Sequence, residues 1–368
     1  MTTPKKEIGI KKERVLLVSL INDSARRYMA LNRFEELEGL VKTAGGEVFE
    51  KILQIRENID PSYYIGKGKA HEIKDIVKKF HIDTVLFDTE LTPAQQRNLE
   101  ELIGVKIIDR NILIMDIFAL HARTKEAKIQ VELAQLKYRL PRLTGLGVEL
   151  SRLGGGIGTR GPGEQKLEVQ RRRIKQRIQR LEWELKFIER VRDVQSKKRK
   201  DVFKITLVGY TNAGKTTLMN LLSKEHLKVD GLYFSTIDAT TRKFYIDRNH
   251  RVVLSDTVGF IEDLPPYLVA SFRSTLKVAM DADLLIHVVD VSRPGVDERI
   301  QVVEQTLNEI GCRDKKRLIV FNKTDLVLWD TILLRYKDRY QNSILVSGKS
   351  GEGIDKLKET ILRYITAR

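Results

Sequence analysis

One stretch limits the fold more than any other: VFKITLVGYTNAGKTTLMNLL, residues 202–222. Its apolar, β-branched first half reads as a buried strand. The strand runs directly into Gly209, Gly214, Lys215 and Thr216 at the spacing G-x-x-x-x-G-K-[ST], and an apolar helical pattern follows. Strand, glycine loop and helix in that order belong to a doubly wound, mostly parallel α/β sheet. The chemistry needs this order. Glycines let the backbone wrap a phosphate, and the N–H groups from Tyr210 through Thr211, Asn212 and Ala213 to Thr217 point inward at its oxygens. Lys215 is placed to bridge β- and γ-phosphate oxygens, and the Thr216 hydroxyl to ligate Mg²⁺.

Three further motifs follow in order, each at the end of an apolar strand pattern. RVVLSDTVGF (251–260) carries Asp256, Thr257, Val258 and Gly259. There Asp256 can hold Mg²⁺ through water, and the Gly259 amide can meet a γ-phosphate. LIVFNKTD (318–325) carries Asn322, Lys323 and Asp325. A buried Asp325 accepts from guanine N1–H and the 2-amino group. Adenine offers neither donor, which excludes an ATPase or a P-loop kinase. Asn322 is expected to support the O6/N7 edge and the loop, and Lys323 to lie along the ring. ILVSGKSG (344–351) supplies Ser347, Gly348 and Lys349, whose backbone can donate to O6. Residues 201–368 therefore read as a guanine-nucleotide domain with GTP and GDP as ligands. The loop YFSTIDATTR (233–242) offers Thr236, Thr240 and Thr241 to complete the Mg²⁺ shell when a γ-phosphate is present, and spacing does not choose among them. Phe260 stands where many GTPases place a water-orienting glutamine, so slow unassisted hydrolysis is expected. Asn212 stands where some potassium-stimulated GTPases carry asparagine, which makes K⁺ a candidate cofactor.

The rest of the chain has a different character. Its 368 residues suggest two or three domains, and its net charge is +16 with a pI near 9.7. Residues 121–200 hold +13 of that charge. This concentration points to a polyanion such as RNA. Ile129, Leu133, Leu136 and Leu140, then Ile174, Ile178, Leu181, Leu185 and Ile188, repeat at alternating spacings of three and four. Two such stripes predict an antiparallel helical hairpin. Its tip, 144–163, holds all but the last residue of LGGGIGTRGPGE (153–164). A complete phosphate loop lies elsewhere, so these glycines are expected to allow another close approach, the alternative being a floppy linker between the hairpin arms. Arg142, Arg152, Gly154, Gly155, Gly156, Arg160, Arg171, Arg172 and Arg173 are the expected RNA contacts. No groove-reading motif accompanies them, so DNA is not expected.

Residues 1–120 alternate strand patterns (14–20, 46–55, 84–89, 105–110) with helical ones (69–80, 92–102), predicting a small α/β domain. Gly66, Lys67, Gly68 and Lys69 precede one of those helices, where an anion could sit, although a plain strand-to-helix turn with solvated lysines is the better account of them. Cys312 is the single cysteine, which excludes a disulfide framework and a thiolate metal site. The N-terminal apolar run, Val15 to Ile21, is too short for a signal core or a membrane span. A cytoplasmic protein without transmembrane segments, monomeric when free, is expected.

The chain resembles the HflX family within the Obg–HflX-like group of P-loop GTPases. The resemblance rests on YIGKGKAHEI (64–73), RLGGGIGTRGPGEQKLEVQRRRI (152–174), GYTNAGKTT, FSTIDATTR, DTVGF and NKTD, and it covers residue 12 onward. It implies an N-terminal α/β domain, a helical hairpin and a G domain. It also implies ribosome binding, chiefly to the large subunit and its rRNA near the peptidyl-transferase centre, with splitting or rescue of stalled ribosomes under stress. By position in the family motif Thr236 becomes the Mg²⁺ threonine, with Phe234, Ser235, Ile237 and Asp238 lying against the nucleotide. Lys215, Thr236 and Gly259 then form the catalytic set. Two departures stand out. Many members carry an additional C-terminal domain, whereas this sequence ends at Arg368. Ala239 stands where many have proline.

Overall fold

Four apolar residues in a row, Val15 to Val18, are buried at the centre of the first strand and set the plane of the first sheet. The structure, a computed structural model, describes residues 12–23, 27–143, 162–197, 202–223, 233–234, 240–263, 265–271, 273–328 and 330–367. They form two compact units, Met1–Leu120 and His121–Arg368.

The first unit is a parallel four-stranded sheet in the order β2-β1-β3-β4. Its strands are β1 (Arg14–Ile21), β2 (Glu47–Ile55), β3 (Thr84–Phe87) and β4 (Lys106–Asp109). β1 is bordered on both sides, with Leu17 opposite Lys51 of β2 and Leu86 of β3. Helices α1 (Arg27–Thr43), α2 (Lys67–Phe80), α3 (Pro93–Ile103) and α4 (Arg110–His121) cross between the strands or follow them. Thr92 and Gln95 form a capping box at the start of α3, and Gly104 closes it in the left-handed conformation. The sequence patterns locate β1–β4, α2 and α3 but miss two helices. α1 buries Ala30, Phe34, Leu37, Leu40 and Val41. α4 is apolar nearly all round, so no periodicity marks it. At the head of α2, the Gly66 N–H donates to Gln54 Oε1 at 2.9 Å and Lys69 pairs with Glu72. This turn is held by protein groups.

The second unit opens with the hairpin, α5 (Lys125–Arg142) and α6 (Pro162–Lys197). Ile129, Leu133, Leu181 and Leu185 bury one another in its seam, with Leu136, Ile178 and Ile188 packed at the margins. Arg177 forks onto both oxygens of Glu132 at 2.7 and 2.8 Å across it. Of the tip, 144–163, residues 144–161 lie outside the described residues, and with them Arg152, Gly154, Gly155, Gly156 and Arg160.

The sheet that follows is ordered β10-β9-β8-β5-β7-β6. It comprises β5 (Phe203–Gly209), β6 (Thr240–Tyr245), β7 (Arg251–Asp256), β8 (Leu284–Asp290), β9 (Arg317–Asn322) and β10 (Ser343–Leu345). All pairings are parallel except β6 on β7. Helices α7 (Lys215–Ser223), α8 (Pro266–Ser271), α9 (Arg273–Met280), α10 (Val296–Glu309), α11 (Asp330–Arg339) and α12 (Ile354–Thr366) accompany it. The chain departs from β5 to one side for β6 and β7 and to the other for β8, β9 and β10. The crevice beyond the carboxyl ends of β5 and β8 is therefore the topological switch point, where such sheets bind ligands. Among the described residues no helix is long and apolar enough to cross a membrane.

Candidate nucleotide site

β5 delivers Gly209 to the crevice at φ +152°, and Asn212 and Gly214 follow at +60° and +91°. These left-handed positions turn the loop back on itself before α7. A Cβ at Gly209 would lie 2.2 Å from the Val288 carbonyl of β8, so the strand pair itself requires glycine there. Lys215, the first residue of α7, is buried. It donates to the carbonyls of Gly209 (3.1 Å) and Tyr210 (3.0 Å). Burial pushes its pKa down to about 8, against the pull of Asp256. The Lys215 ammonium is thus held against the loop's own carbonyls. Of the loop amides expected to point inward, Thr211 N–H is taken by the Phe260 carbonyl and Ala213 N–H donates to Tyr210 O at 3.2 Å.

The next residue, Thr216, donates its hydroxyl to Asp256 Oδ2 at 2.6 Å. Asp256 closes β7 and is fully buried. One hydroxyl and one carboxylate in contact are hard oxygen donors, and they fit Mg²⁺. The chain then passes Gly259 so near the loop that a Cβ would fall 2.7 Å from Thr211 Cα. Two backbone bonds fix this approach: Thr211 N–H to the Phe260 carbonyl at 2.7 Å, and Phe260 N–H to the Gly209 carbonyl at 3.1 Å. The Phe260 ring is buried with Val208, Leu276 and Leu285. The Thr257 hydroxyl points the other way and donates to Leu207 O at 2.8 Å, and Val258 is buried too. The Thr257 side chain ties β7 to β5, and of this residue only the backbone can serve a ligand. Phe234 N–H donates to Thr211 Oγ1 at 3.3 Å. Ser235, Thr236, Ile237 and Asp238 lie outside the described residues.

At the other end of the crevice three expectations change. Asn322 does not present its amide to a base edge. It is 1% exposed, donates to Ala213 O at 2.9 Å and accepts from Gly348 N–H at 2.8 Å. It staples the phosphate loop to the turn after β10, because β9 ends beneath both. The Gly348 N–H, expected to face O6, is engaged by this staple. Asp325 is not buried. It sits on the 3₁₀ turn Thr324–Leu326 and accepts the Ser347 hydroxyl at 2.7 Å. Lys349 is exposed, and Thr217 lies beneath Gly348. Lys323, at φ +65°, donates to Asn212 O (2.8 Å) and Asp290 Oδ2 (2.7 Å). Asp290 was not read from the sequence. Its signal is an acidic residue closing the apolar run LLIHVVD.

Among the expected RNA contacts, Arg171, Arg172 and Arg173 are exposed along α6. Arg142 is not free to reach outward: its guanidinium stacks 3.4 Å above the Tyr138 ring and donates to Tyr138 O. Tyr138 also meets Tyr267 of α8, ring centroids 6.2 Å apart. α5 packs on α8, which begins six residues after Phe260.

The arrangement can grip a phosphate chain at one end of a crevice and a base at the other. Residues 32–119, 121–199 and 204–323 match families described as "GTP-binding GTPase N-terminal", "GTP-binding GTPase Middle Region" and "50S ribosome-binding GTPase". The chain is 48% identical to "GTPase HflX" of Caldanaerobacter subterraneus subsp. tengcongensis over 98% of its own length and 82% of that relative. It is 42% identical to "GTPase HflX" of Escherichia coli (strain K12) over 90% of its length and 79% of that relative. Among solved structures it resembles the SsGBP–GDP complex, with TM-score 0.53 and 28% identity, covering 97% of this chain and 99% of that one. A GTP-binding protein from Sulfolobus solfataricus in complex with GDP gives TM-score 0.50 at 27% identity, again covering 97% and 99%. With relatives of one name across nearly its full length, and the nucleotide crevice such proteins require, the chain belongs to the HflX family of GTPases and is a GTP hydrolase.

Proposed function

We propose that this GTPase binds ribosomes, chiefly through the rRNA of the large subunit, and promotes dissociation or rescue of stalled ribosomes. In this reading GTP drives binding and hydrolysis drives release. The observation that carries it is the packing of α5 on α8, just beyond Gly259, because a change at the γ-phosphate then reaches the basic hairpin at Tyr138, one turn before the end of α5. The match of residues 204–323 to a "50S ribosome-binding GTPase" family supports the same partner. The setting would be the cytoplasm.

Residues 209–217 would cradle the phosphates, with Lys215 between the β and γ groups, while Asp325 reads guanine and Asn322 holds the two loops in register. Mg²⁺, held by Thr216, by Asp256 through water and by Thr236, would supply charge neutralisation at the β- and γ-oxygens. The Gly259 amide would donate to the γ-phosphate. The arginines of α6 and of the tip, Arg152 and Arg160, would neutralise RNA phosphates, while the glycine-rich tip enters a narrow pocket. K⁺ beside Asn212 would add a further cation, which hydrolysis rates in K⁺ and Na⁺ test.

Sedimentation of ribosomes with GTP, GDP or a non-hydrolysable analogue tests the scheme. Co-sedimentation with large subunits is expected with the analogue and not with GDP. Equal binding in both states would leave the other reading, an RNA scaffold that holds GTP without splitting subunits.

A further inference from the structure

On the side of α6 away from the hairpin seam, Trp183 and Phe187 stack on each other in open solvent. Their ring centroids are 6.1 Å apart and their planes 17° apart. Trp183 is 67% exposed and Phe187 58%. Trp183 is two residues from both Leu181 and Leu185, so it lies about 160° from each around the helix. The seam therefore leaves this pair uncovered. Arg180, Lys186 and Arg190, all exposed, fall within about 60° of Trp183 around the helix and within seven residues of it, and between residues 172 and 190 that sector contains no carboxylate. Arg180 reaches sideways to Glu184 at 3.2 Å.

We infer that this face is a stacking platform for unpaired RNA bases, separate from the tip and from the Arg171–Arg173 cluster. The choice of occupant follows from charge and shape. Flat aromatic faces ringed by cations suit a polyanion that presents flat bases. An apolar protein surface would leave desolvated Lys186 and Arg190 without counter-charges at its edge. Duplex RNA keeps its bases stacked inside, so the platform selects loops, bulges or single strands. The indole receives a base, and the surrounding guanidinium and ammonium groups receive the flanking phosphates. The inference rests on the reading of the hairpin as an RNA-binding arm and adds a second contact along its shaft.

The test uses the full chain with Trp329→Phe, which leaves Trp183 as its sole tryptophan. Its fluorescence is followed while single-stranded RNA 12-mers, or duplexes of the same sequence, are added. Saturable quenching by single strands and not by duplexes is expected. Affinity should fall about tenfold in Phe187→Ala. In the Trp329-containing chain, Trp183→Ala should lower affinity to a similar degree by filter binding, and Trp183→Tyr should keep it within about threefold, because a ring remains. A photo-reactive group at position 187 should join to rRNA on large subunits. Absence of quenching, indifference of affinity to Trp183→Ala, or crosslinks to a ribosomal protein or a second copy would each overturn the inference. The oligonucleotide arm needs no ribosome, so its failure is distinct from failure to co-sediment.

Discussion

Thr216 donates its hydroxyl to Asp256 across 40 residues of chain, at 2.6 Å, and so brings the start of α7 and the end of β7 to a single point. Asp256→Asn keeps the shape and removes the charge that would attract Mg²⁺. GTP turnover is expected to fall by roughly 100-fold or more, with the Mg²⁺ dependence of binding flattened. Turnover measured across a Mg²⁺ titration checks this. Unaltered Mg²⁺ dependence would remove Asp256 from the metal site.

Gly259→Ala places a methyl 2.7 Å from Thr211 Cα and 3.1 Å from Lys215 Nζ. The backbone contact cannot yield, so the loop must retreat from the γ-phosphate position. Hydrolysis is expected to drop roughly 100-fold, the scale of one lost transition-state donor. GDP, which lacks that phosphate, should bind within about threefold of the unaltered chain. Single-turnover rates and GDP titration separate the two effects.

Asn322→Ala would orphan two buried backbone groups, Ala213 O and Gly348 N–H. Each unsatisfied group costs about 1–3 kcal/mol. Urea unfolding of the nucleotide-free protein should therefore show a loss of about 2–6 kcal/mol. A residue that only touched the base would leave nucleotide-free stability unchanged.

His287 gives a pH signature. It is buried on β8, 3.5 Å from Glu304, and burial pushes its pKa below the ordinary value. Its native form thus stays neutral while the unfolded chain takes a proton near pH 6.5. Stability contributed by neutral His287 is present above that pH and is lost as pH falls below it, at up to about 1.4 kcal/mol per unit. In His287→Gln the loss between pH 7 and pH 5 should shrink accordingly. Thermal melts of both proteins across that range provide the comparison.

Tyr267→Ala removes the ring that α8 offers to Tyr138. If nucleotide state reaches the hairpin through this contact, the affinity of large subunits for the GTP-analogue form should approach that for the GDP form. A coupling of about 1–3 kcal/mol would shrink. GTP affinity itself should hold. Sedimentation in both nucleotide states reads the ratio.

Much of the second unit was legible because its motifs punctuate strand ends, where residue type is dictated by backbone reach and ligand chemistry. Gly209, Lys215 and Asp256 stand where the pattern requires. The heptad stripes likewise predicted the hairpin, since Leu181 and Leu185 pack against Ile129 and Leu133 of α5. What escaped depended on three-dimensional neighbours. The direction of the Asn322 amide follows from Ala213 and Gly348, which are far apart in sequence. Asp290 gains meaning only through Lys323. α4 hid because a helix apolar nearly all round carries no polar stripe, and β8 because its apolar residues run on without polar alternation, broken only by His287 before the closing Asp290.

The burial of Phe260 has a consequence for how this enzyme could be altered. Its two backbone bonds to the glycine loop aim the side chain into hydrocarbon, among Val208, Leu276 and Leu285. A glutamine installed at that position would sink its amide into the interior instead of steering a water molecule. Restoring the familiar amide by a single codon is therefore closed to this lineage.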